Sequence, residues 1–213
     1  MKKCVSLLVC VLLLLGLGGC ANTEKELQIK KAQAILCAIE EFKTKVSETP
    51  DYNFESYVAF DEDQKGAYVN LYYAGVFTSE GVHVPPISPL YYILFNEGIP
   101  TVAATIEGED FSASPGVAIN VSSHDNKIVV WGNIWDTAWN SHTDQTTPLD
   151  CAALKIITPK GKTSIKNIGE NGVFVGIIDA PPTDFQILNQ EGKVTLDYKQ
   201  FQAMGHQLEG FSE

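Results

Sequence analysis

The sequence predicts a mainly β protein: an antiparallel β-sandwich, or a barrel-like variant of one, preceded by one amphipathic α-helix. Three observations carry the prediction. Val69, Leu71, Tyr73 and Phe77 alternate with Tyr68, Asn70, Tyr72 and Val76, the two-residue period of a strand. Short apolar runs rich in β-branched and aromatic residues follow, separated by turn residues at about ten-residue spacing with no helical segment between them. Before Pro50 the apolar spacing is instead three and four, the period of a helix face.

Taken in chain order, the first element is a leader. Met1-Lys2-Lys3 precedes the apolar run Val5–Leu17, which closes in Leu17-Gly18-Gly19-Cys20. A charged start, an apolar stretch and a small-residue cleavage site form a secretory signal. The apolar run is 13 residues long, whereas a membrane-spanning helix needs roughly 20. A cysteine directly after the small pair resembles the lipobox of bacterial lipoproteins. That resemblance implies cleavage before Cys20 and a diacylglyceryl lipid, carrying palmitate-like chains, on the Cys20 thiol. Two acyl chains suffice for stable anchoring. The resemblance further implies an extracytoplasmic protein of the bacterial cell envelope, on the cell membrane of a one-membrane organism. With Ala21 after the cysteine it implies the outer membrane of a two-membrane one. The organisation expected is a signal peptide over 1–19, the lipidated cysteine and helix over 20–50, the β-sandwich over 51–203 and a flexible tail over 204–213.

Removing the 19-residue leader from 213 residues leaves 194, enough for one domain with a real core. The leader takes Lys2 and Lys3 with it, so 13 basic residues face 26 acidic ones and the mature net charge is −13. All the basic side chains are lysines; the chain has no arginine. Arginine is the usual fork for phosphate, so the composition argues against nucleic acid as a partner and against docking on anionic lipid headgroups. The acidic balance reads as solubility at a crowded surface.

Thr23 with Glu26 has the capping-box pattern of a helix start. The helix expected from Glu24 to about Glu48 shows Ala32, Ile35, Ile39, Phe42 and Val46 on one face and is roughly 35 Å long. Packing on the domain that follows is favoured over a stalk, because the pattern spans only about two heptads. Cys4 and Cys10 leave with the leader. Of the remaining cysteines, Cys37 falls roughly opposite the Ile35 and Ile39 face, and Cys151 lies in the β region. An oxidising compartment permits a Cys37–Cys151 disulfide tying the helix to the body; two free thiols are the other reading.

Further strands are expected over Leu90–Phe95, Thr101–Ile106, Val117–Val121, Ile128–Ile134, Ala152–Ile157, Val173–Ile178, Phe185–Leu188 and Val194–Leu196. Gln64-Lys65-Gly66, Asn96-Glu97-Gly98, Asp125-Asn126, Pro159-Lys160-Gly161, Glu170-Asn171-Gly172 and Gln190-Glu191-Gly192 supply the turns. In the last third, the hairpin Leu154–Lys162 with its Pro159-Lys160-Gly161 turn, the strand Gly172–Gly176 and the hairpin Phe185–Val194 with its Asn189-Gln190-Glu191-Gly192-Lys193 turn resemble β-sandwich modules of uncharacterised Gram-positive lipoproteins. This resemblance implies a fold and no catalytic residues.

Trp131, Trp135 and Trp139 are the chain's three tryptophans and stand four apart, a spacing that keeps neighbours on one face of a strand or a helix. Exposed, they would make a flat platform for sugar rings, with Asn133 and Asp136, and beyond them Asn140, His142 and Asp144, reading hydroxyls. Buried, they fill the core, which is the favoured reading. The four histidines, His83, His124, His142 and His206, have no metal-binding spacing, and no metal or cofactor is expected. Asp61-Glu62-Asp63-Gln64-Lys65-Gly66 lacks the later ligands of a calcium loop and reads as a solvated acidic hairpin tip. Ser112 and Ser114 lack the context of a nucleophile elbow, and the pair Glu109-Asp110 points apart. The expected function is therefore a non-catalytic binding or sensing role at the cell envelope, with an envelope protein or a glycan as partner. The alternatives are a glycan-binding surface protein using the tryptophan strip, and a hydrolase with dispersed carboxylates.

Overall fold

The computed structural model describes residues 22–45, 54–73, 76–77, 83–84, 87–106, 116–165, 168, 172–208 and 210–211. The leader, Cys20, Pro50, Glu109-Asp110, Ser112 and Ser114 lie outside these residues. A helix, α1 (Asn22–Lys45), is followed by β1 (Glu55–Phe60), β2 (Gly66–Tyr72), the short pair β3 (Val76–Phe77) and β4 (His83–Val84), then β5 (Leu90–Asn96) and β6 (Ile99–Ile106). Next come β7 (Val117–His124), β8 (Lys127–Ile134), β9 (Thr137–Asn140) and β10 (Gln145–Pro148). The chain closes with β11 (Ala153–Thr158), β12 (Gly161–Ile165), β13 (Val173–Ile178), β14 (Asp184–Leu188), β15 (Val194–Asp197) and a short helix, α2 (Tyr198–Ala203). The protein is thus mainly β, with antiparallel sheets behind one long helix, as its composition and turns predict.

Three sheets form the body: a first with order β1-β2-β5-β6, a second with order β13-β8-β7 and a third with order β12-β11-β14-β15. The chain divides into two units after Gln33, and the layering here is that of the second, from Ala34 onward. Alternate residues on each strand enter different cores, as the two-residue period requires. On the first sheet Val58, Ala67, Val69, Leu71, Tyr91 and Ile93 pack against Ala34, Ala38 and Phe42 of α1. Its other face presents Tyr68, Leu90 and Tyr92 to Val129, Trp131 and Val175 of the second sheet. The opposite face of that second sheet places Val117, Ile119, Val130, Ile134, Phe174 and Ile178 against Leu154, Ile156, Phe185, Ile187 and Leu196 of the third. Helix, sheet, sheet and sheet therefore stack as four layers. This is why β2 is buried along its whole length and why its sequence mixes tyrosine and asparagine with aliphatics instead of alternating with solvent-facing charge.

The turns follow local chemistry. Glu97 and Gly98 between β5 and β6, and Asp125 and Asn126 between β7 and β8, all have positive φ. Two such residues in a row make the two-residue turn whose twist matches a hairpin, and glycine, asparagine and aspartate adopt it most readily. The expected strands are all present. Not anticipated were β1, β4, the hairpin of β9 and β10, and α2. At α2 the Asp197 carboxylate accepts from the Gln200 backbone while Gln200 answers to the Asp197 backbone, a full capping box. Asp197→Ala is expected to cost about 1 kcal/mol, read as a lower urea midpoint; an unchanged midpoint would show that the cap is redundant with the burial of Phe201.

Four sequence-based expectations need correction. Helix α1 begins at Asn22, so Thr23 is inside the first turn. Its buried stripe is Ala34, Ala38 and Phe42, with Ile35 and Ile39 only half-buried on one flank and Cys37 packed on the other. That is a rotation of roughly 80° from the apolar face read off the sequence, at 3.6 residues per turn. Two alanines at the centre of the contact let the helix axis approach the sheet. Consequently Cys37 lies against the core near the Val102 backbone, while Cys151 packs on the opposite core, with the third sheet. Both are free thiols, so there is no Cys37–Cys151 disulfide. Finally, the segment expected to be a flexible tail is packed where it is described. Met204, Leu208 and Phe211 lie on the core of the second and third sheets, and the Phe211 ring stands 4.8 Å from that of Tyr198.

Candidate functional site

The three cores differ in chemistry. Among the described residues the buried polar side chains are Asp61, Asn70, Ser88, Asn120, Asn133 and Thr158. All but Thr158 belong to the layer between the first and second sheets, which makes that layer the candidate site. Its middle is a satisfied belt. The Asn70 amide on β2 donates across the layer to the Gly132 and Phe174 carbonyls, both at 3.0 Å. The Ser88 hydroxyl donates to Asn70 Oδ1 at 2.6 Å, and the Trp131 indole donates to the Ser88 carbonyl at 3.0 Å. A side chain of one sheet bonded to main-chain atoms of two strands in the other fixes their relative placement, because sliding would orphan several buried groups together.

One end of the layer carries titratable groups. The Tyr92 hydroxyl donates to Asp61 Oδ2 at 2.6 Å, and Lys127 Nζ lies 2.6 Å from Asp61 Oδ1. Beside them Tyr68 Oη and His124 Nδ1 are 3.0 Å apart, and His124 stands edge-on to both tyrosine rings. Gly66 makes this possible: a Cβ there would run into the Tyr92 hydroxyl and the Asp61 carboxylate. Burial pushes the Tyr68 phenol up to about 12, with Asp61 and Asp125 adding to it. Tyr92 is pushed up further by burial and by its bond to Asp61. These phenols stay protonated at neutral pH, and that of Tyr92 is the donor to Asp61. Asp61 is thus no solvated hairpin tip; it is 6% exposed and neutralised by Lys127.

The other end is less self-contained. Glu55 on β1 is the cross-strand partner of Tyr72 on β2, and Tyr72 Oη accepts from the Trp135 indole at 3.2 Å. Their rings meet edge to face with centroids 6.2 Å apart. Asn133 lies two residues before Trp135, on the β8 face that Trp131 shares. Glu55 Oε2 and Asn133 Oδ1 are buried without a hydrogen-bond partner among the described residues. Burial raises the Glu55 carboxyl above the ordinary glutamate value. It also raises the Tyr72 phenol, with Glu55 adding to the effect and the Trp135 bond opposing it.

The tryptophan strip does not assemble as a platform. Trp131 is 1% exposed in the interlayer, because β8 faces a second sheet on that side. β8 ends at Ile134, so Trp135 leaves the strand toward Tyr72, and Trp139 restarts on β9. There its indole donates to Asp144 at 3.1 Å and its carbonyl accepts His206 Nε2 at 2.7 Å. Asn133 is buried, whereas Asp136 is exposed and contributes its backbone carbonyl to Leu149. Asn140 Oδ1 is occupied by the His142 and Thr143 amides. The structure therefore groups Trp131, Asn133 and Trp135 with the interlayer and sets Trp139 and Asp136 apart from them.

Neither thiol is activated: burial, then Glu40 and Glu41, raises Cys37, and burial, then Asp150, pushes Cys151 up to about 11. Among the described residues no three His, Cys, Asp or Glu side chains converge as a metal site. Sequence reasoning missed Glu55, Asp61, Asn70, Tyr72, Ser88, Tyr92 and Lys127. A signal existed in Tyr68, Asn70 and Tyr72, which occupy every second position of a strand, but without a second sheet to face they read as the solvent side. The chain matches no family model, no curated protein and no solved structure.

Proposed function

We infer that this protein is a lipid-anchored lipoprotein of the bacterial cell envelope with an extracytoplasmic, non-catalytic binding or sensing role. The observation that carries the anchor is Leu17-Gly18-Gly19-Cys20 behind a 13-residue apolar run, too short to span a bilayer at roughly 20 residues. What supports binding over catalysis is the division of labour in the interlayer. Asn70, Ser88 and Trp131 in its middle, and Asp61, Tyr92 and Lys127 at one end, hold their polar groups on one another or on main-chain carbonyls, as a scaffold does. The end at Glu55, Tyr72, Asn133 and Trp135 combines half-buried outer residues with buried acceptors, as a ligand mouth does.

The anchor is tested by expressing the full chain and its Cys20→Ser variant in a bacterial host with labelled palmitate. The expected result is label and membrane association for the parent, and neither for the variant, with unchanged thermal unfolding of the purified proteins. Membrane association that survives Cys20→Ser would sink the lipoprotein reading.

A further inference from the structure

We propose that the side chains of Lys127 and Asp61 join in an isopeptide bond, a covalent cross-link between the first and second sheets. The proposal goes beyond the anchor and the binding role and depends on neither.

Three ion pairs occur among the described residues, and one differs from the others in every respect that matters for reaction. Lys45–Glu41 and Lys65–Asp63 stand at 3.5 and 3.3 Å between near neighbours in sequence, with each partner at least 34% exposed. Lys127–Asp61 joins residues 66 positions apart at 2.6 Å, shorter than the roughly 2.7–2.9 Å of an ordinary ammonium–carboxylate bond. Its carboxylate is 6% exposed, and the second oxygen already accepts from the Tyr92 hydroxyl at 2.6 Å. The rings of Tyr68, Tyr92 and His124 pack on one another beside it. A nitrogen in contact with one carboxylate oxygen lies roughly 3–3.5 Å from the carboxyl carbon, the separation of a near-attack pair. Holding two groups this way supplies effective concentrations of about 10⁵–10⁸ M, which free amines and acids in water never reach.

The bond forms from the pair itself. The Lys127 ammonium passes a proton to Asp61 Oδ1, leaving a free amine against a neutral acid; a site poor in water narrows the gap between that neutral pair and the ion pair. The nitrogen lone pair then attacks the carboxyl carbon, and the C=O electrons move onto Oδ2, where the Tyr92 hydroxyl donates to the developing charge. A second proton moves from nitrogen to Oδ1, the C–Oδ1 bond breaks, and Oδ1 departs as water while the Oδ2 carbonyl re-forms. The products are one amide and one water, with nothing oxidised or reduced. Lys127 is 35% exposed, so the water has a way out. The ion pair is the reactant of this step, and the costs of breaking it apply to the unlinked chain.

The test is mass spectrometry of tryptic fragments of the purified, folded full-length protein. The expected result is a species in which the fragments carrying Asp61 and Lys127 are joined, one water lighter than their sum, with fragmentation placing the bond between these two side chains. Lys127→Arg should abolish it, because a guanidinium stays protonated and is no nucleophile. Freshly synthesised Tyr92→Phe protein should link about a hundredfold more slowly, the cost of one oxyanion donor. Four outcomes overturn the proposal: no joined species in the parent, a lost water that maps within one fragment as a cyclised aspartyl would give, a joined species that persists in Lys127→Arg, or linking at the parent rate in Tyr92→Phe protein that is folded by circular dichroism. The first two are read from the parent alone, so they decide the matter even where a variant fails to fold.

Discussion

Raising the pH from about 10 to about 12 is expected to unfold the β body cooperatively. Burial pushes the phenols of Tyr68 and Tyr91 from 10.0 up to about 12, with Asp61 and Asp125 adding to the first and Glu41 to the second. Both side chains are essentially unexposed. The folded protein therefore holds these protons more tightly than the unfolded chain does. Stability from this source is complete below pH 10 and is lost as the pH climbs toward 12. At ~1.4 kcal/mol per tenfold change, each tyrosine accounts for about 3 kcal/mol, and the pair removes much of the 5–15 kcal/mol that holds roughly any domain of this size together. Tyr92, bonded to Asp61 and shifted in the same direction, adds to the loss. Tyrosinate absorbance and near-ultraviolet circular dichroism should change together in one steep step, and Tyr91→Phe should move that step upward. Smooth titration centred near pH 10 with the dichroism intact would mean that the phenols are accessible and the interlayer is open.

Asp61→Ala is the most damaging single change expected at the titratable end of the interlayer, at about 3 kcal/mol. It strips the Tyr92 hydroxyl of its acceptor and leaves Lys127 without its counter-ion. Lys127→Met should cost about 2 kcal/mol, because the 6% exposed Asp61 carboxylate loses its cation and keeps only the Tyr92 hydroxyl of the two side-chain partners. Since the tyrosine penalty in Asp61→Ala comes from an orphaned hydroxyl, Tyr92→Phe in the same chain should recover part of the loss. Urea unfolding of the single and double variants reads the coupling. Strictly additive effects would show that Asp61 and Tyr92 do not depend on each other.

Most of the strands, their turns and the long helix α1 were legible because each follows from forces within a few residues. Side chains alternate across a pleat, and Glu97-Gly98 and Asp125-Asn126 accept positive φ. The helix face was misjudged for a different reason. Ile35 and Ile39 are the larger hydrophobes, but the sheet is approached most closely through Ala34 and Ala38, and a helical wheel weighs size, not fit. The tryptophans were misgrouped because spacing alone assumes a continuous strand, and β8 ends between Trp131 and Trp135.

The candidate site was the least legible part. Asp61 reaches Lys127, Tyr68 reaches His124, and Asn70 reaches Gly132 and Phe174, in each case across more than fifty positions of sequence. Those meetings exist only because the second sheet covers the face of the first that lies away from α1. Local sterics and the two-residue period thus decide that this chain makes strands and where they turn. Which faces are buried, and so whether an asparagine or a tyrosine is surface decoration or part of a polar interior, depends on the stacking of one sheet on another. The sequence distributes the contacts responsible over segments with no local signature in common.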